Sequence, residues 1–173
     1  MILDLKPYQA SEPYPQVHTI RQDKTLAVTL MKGYCGEVSE MTTVLQYAHH
    51  SLHCKSQYAE VSKMMRGIFY VETLHMELLG ECVCKLGGSA QYNVSTGEKM
   101  ICWQGDLVEY TSTPAQMLLA DIKGEKEAVA FYQRAASSLH NQPDVKTLLL
   151  RLAEDERLHV KMLTDLYDRT FRK

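Results

Sequence analysis

The chain has 173 residues, 45% of them hydrophobic, and a formal net charge of −2 at pH 7. This length and apolar content predict one domain with a sizeable core, and the charge offers no basic surplus for nucleic acid or an anionic membrane. No stretch approaches the roughly 20 apolar residues of a membrane span. The first residues lack the features of a signal peptide, and the five cysteines have no framework or zinc-site spacing. The sequence therefore predicts a cytoplasmic protein with reduced thiols.

The first half of the chain predicts an extended arm followed by two long helices. Residues 1–22 contain three prolines and no helical period, which is typical of an extended segment. Residues 23–54 predict one long helix, weakened locally by Gly33 and Gly36. Its apolar stripe contains Leu26, Leu30, Val38, Met41, Val44, Leu45 and Ala48. A second helix is predicted over residues 57–86, where a Gly-Gly pair ends it.

The second half predicts a long connection and two more helices. Residues 88–113 form a crossover of 26 residues, rich in Gly, Ser, Thr and Asn, which is long enough to return along the bundle. We expect Trp103, Val108 and Tyr110 to hold this crossover against the bundle, with a short strand within it. Proline near the start of each helix predicts a third helix over residues 114–140 and a fourth over residues 143–171. The expected fold is all-α, with two antiparallel helix hairpins joined by the crossover and a four-helix bundle over residues 23–173.

Both halves of the chain repeat one pattern of potential metal ligands. In each, a Glu lies seven residues before a Tyr and is followed by Glu-x-x-His. The residues are Glu40, Tyr47, Glu72 and His75 in the first half and Glu125, Tyr132, Glu156 and His159 in the second. The spacing between the two Glu residues is 32 in the first half and 31 in the second. A Glu from each of two helices plus Glu-x-x-His from each of two others is the ligand set of a two-metal carboxylate site.

Helix geometry predicts that these residues meet. Residues three apart share a helix face, and residues seven apart nearly align. In an antiparallel pair, side chains at one level are equidistant from the turn, and both Glu-to-Glu midpoints fall in turn-like sequence, at residue 56 and between residues 140 and 141. Each Tyr is then either a plain core residue or a hydrogen-bond donor to a liganding carboxylate.

A single Glu-x-x-His is more often part of a solvated helix face. Here both copies lie among apolar residues of core helices, where unpaired carboxylates are costly. Two divalent cations would neutralise four carboxylates, so we predict that two ions bind the following six residues. They are Glu40, Glu72, His75, Glu125, Glu156 and His159.

Other polar side chains compete less well for this role. The carboxylates displaced from the ligand face are Glu37, Glu77, Glu127 and Glu154, of which Glu127 is the best candidate for an extra ligand or proton carrier. His49 and His53 are four residues apart, but their angular positions put them on the side of the helix opposite Glu40. This favours a surface or subunit-contact role for the two histidines over a second metal site.

The two motifs resemble those of the ferritin-like superfamily, over about residues 24–171. The first-half motif resembles bacterioferritin and rubrerythrin di-iron domains, and so do the segments 121–132 and 155–159 of the second half. The resemblance is strongest to short stand-alone rubrerythrin-like proteins, which are related to manganese catalases and to spore-coat proteins. It implies that Glu72 and Glu156 bridge the metals. It also implies that Glu40 with His75, and Glu125 with His159, complete the two terminal positions.

Three departures from these relatives limit the function. Thr73 occupies the position of the haem-ligating methionine of bacterioferritins, so no haem is expected. Only 14 residues follow His159, which leaves no room for the fifth helix of cage ferritins, so a homodimer through the first two helices is the default. The chain has no four-cysteine electron-transfer module, so a separate electron donor is expected.

These features predict a dinuclear iron or manganese oxidoreductase that acts on hydrogen peroxide or dioxygen, in the manner of rubrerythrins or catalases. Carboxylate and imidazole ligands suit both metals, so the ligand set does not choose between them. One alternative is a ferroxidase or iron-handling protein, for which Fe²⁺ is the substrate. An alternative of another class is a metal-stabilised structural protein, such as a coat component.

Overall fold

A computed structural model describes residues 4–18, 21–97 and 99–172. The parts of the predicted arm, crossover and bundle that lie outside the described residues are 1–3, 19–20, 98 and 173. The described chain is an all-α bundle, as predicted. Its helices are α1 (Lys24–Cys35), α2 (Glu40–Cys54), α3 (Ala59–Lys85), α4 (Pro114–Ser137) and α5 (Pro143–Phe171).

The bundle consists of two helix hairpins, α2 with α3 and α4 with α5, and α1 packs mainly on α3. Its apolar core is divided into two clusters. One contains residues of α1, the end of α3 and the start of α5, such as Leu30, Leu79 and Leu149. The other contains residues of the start of α3 and the end of α5, such as Ile68 and Leu163. The two clusters are separated by a layer of buried polar side chains.

The prediction of one continuous helix over residues 23–54 is wrong, because the chain breaks between α1 and α2. Ser39 caps α2, with its hydroxyl accepting from the Thr42 N–H at 3.3 Å. The same hydroxyl donates to the Gly36 carbonyl at 2.7 Å, which stabilises the break. The break changes the helical phase, so Val38 and Leu45 of the predicted apolar stripe are 38% and 39% exposed.

The crossover contains a short antiparallel hairpin formed by β1 (Asn93–Ser95) and β2 (Met100–Cys102). The Trp103 indole N–H donates to the Thr42 hydroxyl at 2.9 Å, and Val108 is buried. These two residues hold the crossover against the bundle, as expected. Tyr110 is 59% exposed and contributes less, through a ring contact with His49.

The described part of the N-terminal segment lies against α3 and α5 and includes a short 3₁₀ turn at Lys6–Tyr8. The Tyr8 ring packs directly over Gly67 of α3, where a Cβ atom would collide with it. Further along, the Lys85 ammonium donates to the Val17 carbonyl at 3.0 Å. The segment is therefore attached to the bundle at several points along its length.

Among the described residues, no helix has both the length and the apolar character needed to cross a membrane.

Candidate metal centre

All six residues predicted as metal ligands meet in the polar layer between the two apolar clusters. Each is at most 3% exposed. Glu40 is the first residue of α2, Glu72 and His75 lie near the middle of α3, and Glu125 lies in the middle of α4. Glu156 and His159 lie near the middle of α5. The four helices thus contribute at one level, which agrees with the spacing argument from the turns.

The six side chains form two overlapping groups of four. Glu40 and His75 make up one group with Glu72 and Glu156, and in it one donor atom of each residue lies within 4.8 Å of all the others. Glu125 and His159 make up the second group with the same two shared carboxylates, within the same distance. Two such groups with two shared carboxylates are suited to hold two cations side by side.

Both histidines present Nδ1 to the shared carboxylates. His75 Nδ1 lies 3.1 Å from Glu72 Oε2 and 3.1 Å from Glu156 Oε1. His159 Nδ1 lies 2.8 Å from Glu72 Oε1 and 3.1 Å from Glu156 Oε2. The Nδ1 atoms are therefore the ring nitrogens that could bind a metal.

The opposite ring nitrogens have partners outside the centre. His75 Nε2 donates to Asp155 Oδ2 at 3.0 Å, and His159 Nε2 donates to the Tyr8 carbonyl at 2.9 Å. A hydrogen bond of this kind fixes the ring orientation and leaves the Nδ1 lone pair of the neutral ring free for a metal.

The two motif tyrosines donate to carboxylates of the opposite hairpin. Tyr47 of α2 donates to Glu125 Oε1 of α4, and Tyr132 of α4 donates to Glu40 Oε1 of α2. A tyrosine seven residues along its own helix lies about 10.5 Å from its own glutamate along the axis, so the facing helix offers the nearer carboxylate. The pair connects the two hairpins and orients Glu40 and Glu125.

Burial and mutual repulsion shift the pKa values of these groups strongly. Burial, and after it the charge of Glu72, raises the pKa of Glu40 well above its usual range and that of Glu125 to about 8. Burial would also raise the pKa of Glu72, but His75 and His159 lower it below its usual value. Burial disfavours the charged histidines, yet the surrounding carboxylates raise the pKa of both well above the usual range. Protons on these carboxyl groups and histidines thus reduce the negative charge of the centre, which bound cations could do instead.

Several buried donor atoms of the centre fit a cation better than they fit each other. Within the described part of the chain, no hydrogen-bond partner of suitable geometry exists for Glu72 Oε1, either Glu156 carboxylate oxygen or His159 Nδ1. Buried polar atoms without partners are costly. Carboxylate oxygens and imidazole nitrogens are the ligands that iron and manganese take in proteins, so the residues present fit the pair of ions that the motifs predict.

Sequence reasoning missed Asp155, which lies beside the centre, accepts three hydrogen bonds and forms an ion pair with Arg151. Its Oδ1 accepts from the Ala10 N–H at 2.6 Å and pairs with Arg151 Nη1 at 2.6 Å. Its Oδ2 accepts from the Tyr14 hydroxyl at 2.5 Å as well as from His75. Burial would raise the pKa of Asp155, but His75 and the hydrogen bonds from Tyr14 and Ala10 lower it to about 2. The four-residue spacing between Arg151 and Asp155 could have predicted their ion pair from the sequence. No sequence pattern could have predicted the contacts of Asp155 with the N-terminal segment.

The remaining polar candidates lie elsewhere. Glu37, Glu77, Glu127 and Glu154 are all exposed, and Glu127 lies 3.9 Å from Lys123 on the surface. The His49 and His53 rings contact each other outside the centre, with 4.1 Å between centroids. His50, between them in sequence, is instead fully buried and bonds Asp121 Oδ1 at 2.9 Å.

Solved structures show the same fold at low sequence identity. A manganese catalase from Anabaena, KatB, superposes with a TM-score of 0.77 at 21% identity, over 93% of this chain and 79% of that one. A bacterioferritin from Rhodobacter capsulatus gives 0.70 at 22% identity, over 87% and 89%. A bacterioferritin-related protein from Bacteroides fragilis, described as a dodecameric thioferritin, gives 0.66 at 18% identity, over 84% and 86%.

The comparison with curated proteins gives no match. The sequence model of the ferritin-like domain family matches residues 38–172 of this chain, which include both hairpins and all six converging residues. The fold, the repeated motifs and this match over most of the sequence together show that the chain belongs to the ferritin-like domain family.

Proposed function

We propose that this protein is a dinuclear iron or manganese oxidoreductase that acts on hydrogen peroxide or dioxygen. The observation that carries the proposal is the pair of four-residue groups that share Glu72 and Glu156. In this arrangement Glu72 and Glu156 would hold both ions. Glu40 and His75 would complete the protein ligands of one ion, and Glu125 and His159 those of the other.

The bound metals would supply the electrons, since two divalent ions can each give one to the O–O bond of a single peroxide molecule. The residues of the chain determine where this happens. Tyr47 and Tyr132 hold Glu125 and Glu40 in place through their hydroxyl groups. Asp155 and the Tyr8 carbonyl hold the two histidine rings. Because six protein residues would be divided between two ions, coordination positions would remain for a small molecule.

The central test is the reaction of reduced, metal-loaded protein with hydrogen peroxide. We expect rapid consumption of about one equivalent of peroxide per pair of divalent ions, since each ion gives one electron. Stopped-flow absorption with a peroxide assay measures the rate and the stoichiometry. Sustained oxygen evolution would favour manganese and a catalase, whereas a single turnover that needs added reductant would favour iron and a peroxidase with a separate electron donor.

Faster oxidation of the loaded protein by dioxygen than by peroxide would favour the ferroxidase alternative instead. Inertness toward both oxidants would favour the metal-stabilised structural alternative. The comparisons are compatible with a peroxide-consuming enzyme and with a ferroxidase, because they include both a manganese catalase and a bacterioferritin with a dinuclear site.

We also expect that the protein binds no haem. Thr73, at the position of the haem-ligating methionine, lies on the exposed face of α3 and bonds the Phe69 carbonyl at 2.8 Å through its hydroxyl. Protein expressed with excess haem should therefore show no Soret band after purification. A stoichiometric band would contradict this expectation and would require another axial ligand.

For assembly we expect a homodimer that uses the outer face of α2. Leu45 and Leu52 are seven residues apart, so they share that face, and they are 39% and 66% exposed. Leu52→Lys should shift the protein toward monomer in light scattering, because a buried charge disfavours the contact. Leu150→Lys, at a leucine of α5 that is 42% exposed, is the matched control. A native mass of several hundred kilodaltons, unchanged by Leu52→Lys, would contradict the dimer.

A further inference from the structure

An apolar cavity of about 400 Å³ lies beside the candidate metal centre. It is formed by the end of α1, the break before α2, the β1–β2 hairpin and one side of α4. Its apolar walls are Val38, Val94, Ile101, Trp103, Leu107 and Phe131. The charged residues Lys32 and Glu37 stand at its exposed rim.

The walls of the cavity are held by hydrogen bonds that do not depend on an occupant. The Trp103 indole donates to Thr42 at 2.9 Å. The Cys35 thiol donates to the carbonyls of Gln91 and Asn93 at 3.5 and 3.4 Å, which ties α1 to the hairpin. The cavity is therefore largely formed in advance, as is usual for small-molecule sites.

A narrow space shares two lining residues with this cavity and reaches the carboxylates of the centre. It measures about 10 Å³, which is room for about one water molecule. Val38 and Phe131 line both the cavity and this space, and Glu40, Glu72 and Glu125 line its inner end. Gly33 of α1 provides the room for the Phe131 ring, since a Cβ atom there would collide with it.

The cavity is far larger than hydrogen peroxide or dioxygen requires, and ligand sites of roughly 300–1,000 Å³ hold much bigger molecules. The apolar lining of the cavity suits a hydrocarbon group, whereas the narrow space has room only for a small polar group. We propose that the cavity binds the alkyl or aryl part of an organic hydroperoxide and that the narrow space admits its terminal –OOH group. This inference rests on the proposed function, because the centre must be able to reduce an O–O bond.

The reaction is balanced without a further reagent. Reduction of ROOH breaks the O–O bond and consumes two electrons, one from each divalent ion, and two protons from solvent. The products are the alcohol ROH and water. The alcohol has the shape of the substrate without its reactive group, so it can probe the cavity in metal-free protein.

The test of binding uses 2-phenyl-2-propanol, the alcohol that cumene hydroperoxide yields. Trp103 is the only tryptophan of the chain and lines the cavity, so its fluorescence reports occupancy directly. We expect a saturable change in metal-free protein. Ile101→Phe, which enlarges one side chain of the cavity wall, should weaken the affinity at least about tenfold, the effect of losing a few buried methylene groups.

Met100→Phe is the matched control. Met100 is adjacent to Ile101 in β2, but alternate strand residues face opposite sides, and Met100 lines a different cleft. Met100→Phe should leave the affinity unchanged. Equal weakening by both variants, or no saturable change in the native chain, would overturn the inference.

The second measurement compares kcat/KM for cumene hydroperoxide with that for hydrogen peroxide in metal-loaded protein. We expect their ratio to fall about tenfold in Ile101→Phe and to remain unchanged in Met100→Phe. An unchanged ratio in Ile101→Phe would overturn the inference about the cavity but not the proposed function. Consumption of hydrogen peroxide without binding of the alcohol would have the same meaning. Binding of the alcohol without consumption of either peroxide would overturn the proposed function, and with it the assignment of the cavity to a hydroperoxide.

Discussion

Replacing His75 and His159 together by alanine should leave a folded protein that retains almost no metal. Loss of an outer partner of a metal ligand already weakens binding by about 10–100-fold. Removal of one ligand from each group of four should cost more than that. Metal content after desalting, measured by mass spectrometry, and the reaction with hydrogen peroxide should fall together.

The matched control is the His49→Ala/His53→Ala double variant, which removes two histidines from the outer side of α2. Its metal content should equal that of the native chain. Because alanine at His75 and His159 removes positive charge and volume from a buried layer, His75→Gln/His159→Gln provides a second variant with nearly the same volume. Full metal occupancy in either folded variant of the centre would overturn the ligand assignment.

Arg151→Ala should destabilise the protein by up to about 3–5 kcal/mol, because it removes the guanidinium that pairs with the buried Asp155 carboxylate and leaves His75 as its only ionic partner among the described residues. Arg151 is 7% exposed and Asp155 is fully buried. The guanidinium also donates to the carbonyls of Ala10 and Glu12 at 2.9 and 2.6 Å, so the same variant loosens the N-terminal segment. Urea unfolding measures the loss, and limited proteolysis should show earlier cleavage within residues 4–18.

Arg157→Ala on the same helix is the control. Arg157 pairs with Glu154, and both side chains are about half exposed. Exposed pairs contribute at most about 1 kcal/mol, so this variant should unfold almost as the native chain does. Equal losses of stability in the two variants would show that the burial of the Arg151–Asp155 pair has no special effect.

The N-terminal segment provides outer partners for both histidines, so its release should also reach the metal centre. The Tyr8 carbonyl accepts from His159, and the Tyr14 hydroxyl donates to the carboxylate that holds His75. The Arg151 guanidinium lies over the Tyr14 ring at 4.4 Å and keeps it there. We therefore expect Arg151→Ala to bind metal more weakly than Arg157→Ala, in addition to being less stable.

The sequence by itself determined the helical hairpins and the set of residues that meet between them. Helical periodicity is local, and the equal distances of Glu40 and Glu72, or of Glu125 and Glu156, from their turns follow from the constant rise of a helix. For that reason the spacing along the chain was enough to predict which side chains share one level. The same periodicity failed at Gly36 to Ser39, where cap hydrogen bonds outweigh the apolar pattern and Val38 leaves the core.

Only the tertiary structure decided which partners surround these residues. Tyr47 and Tyr132 donate across the bundle because the facing helix brings a carboxylate nearer than their own helix does. The N-terminal segment covers Asp155 and His159 through backbone groups, which every sequence possesses and no motif reveals. The cavity at Phe131 likewise arises where a helix break, a hairpin and α4 meet. These features depend on contacts between distant parts of the chain, and such contacts leave no periodic signal in the sequence.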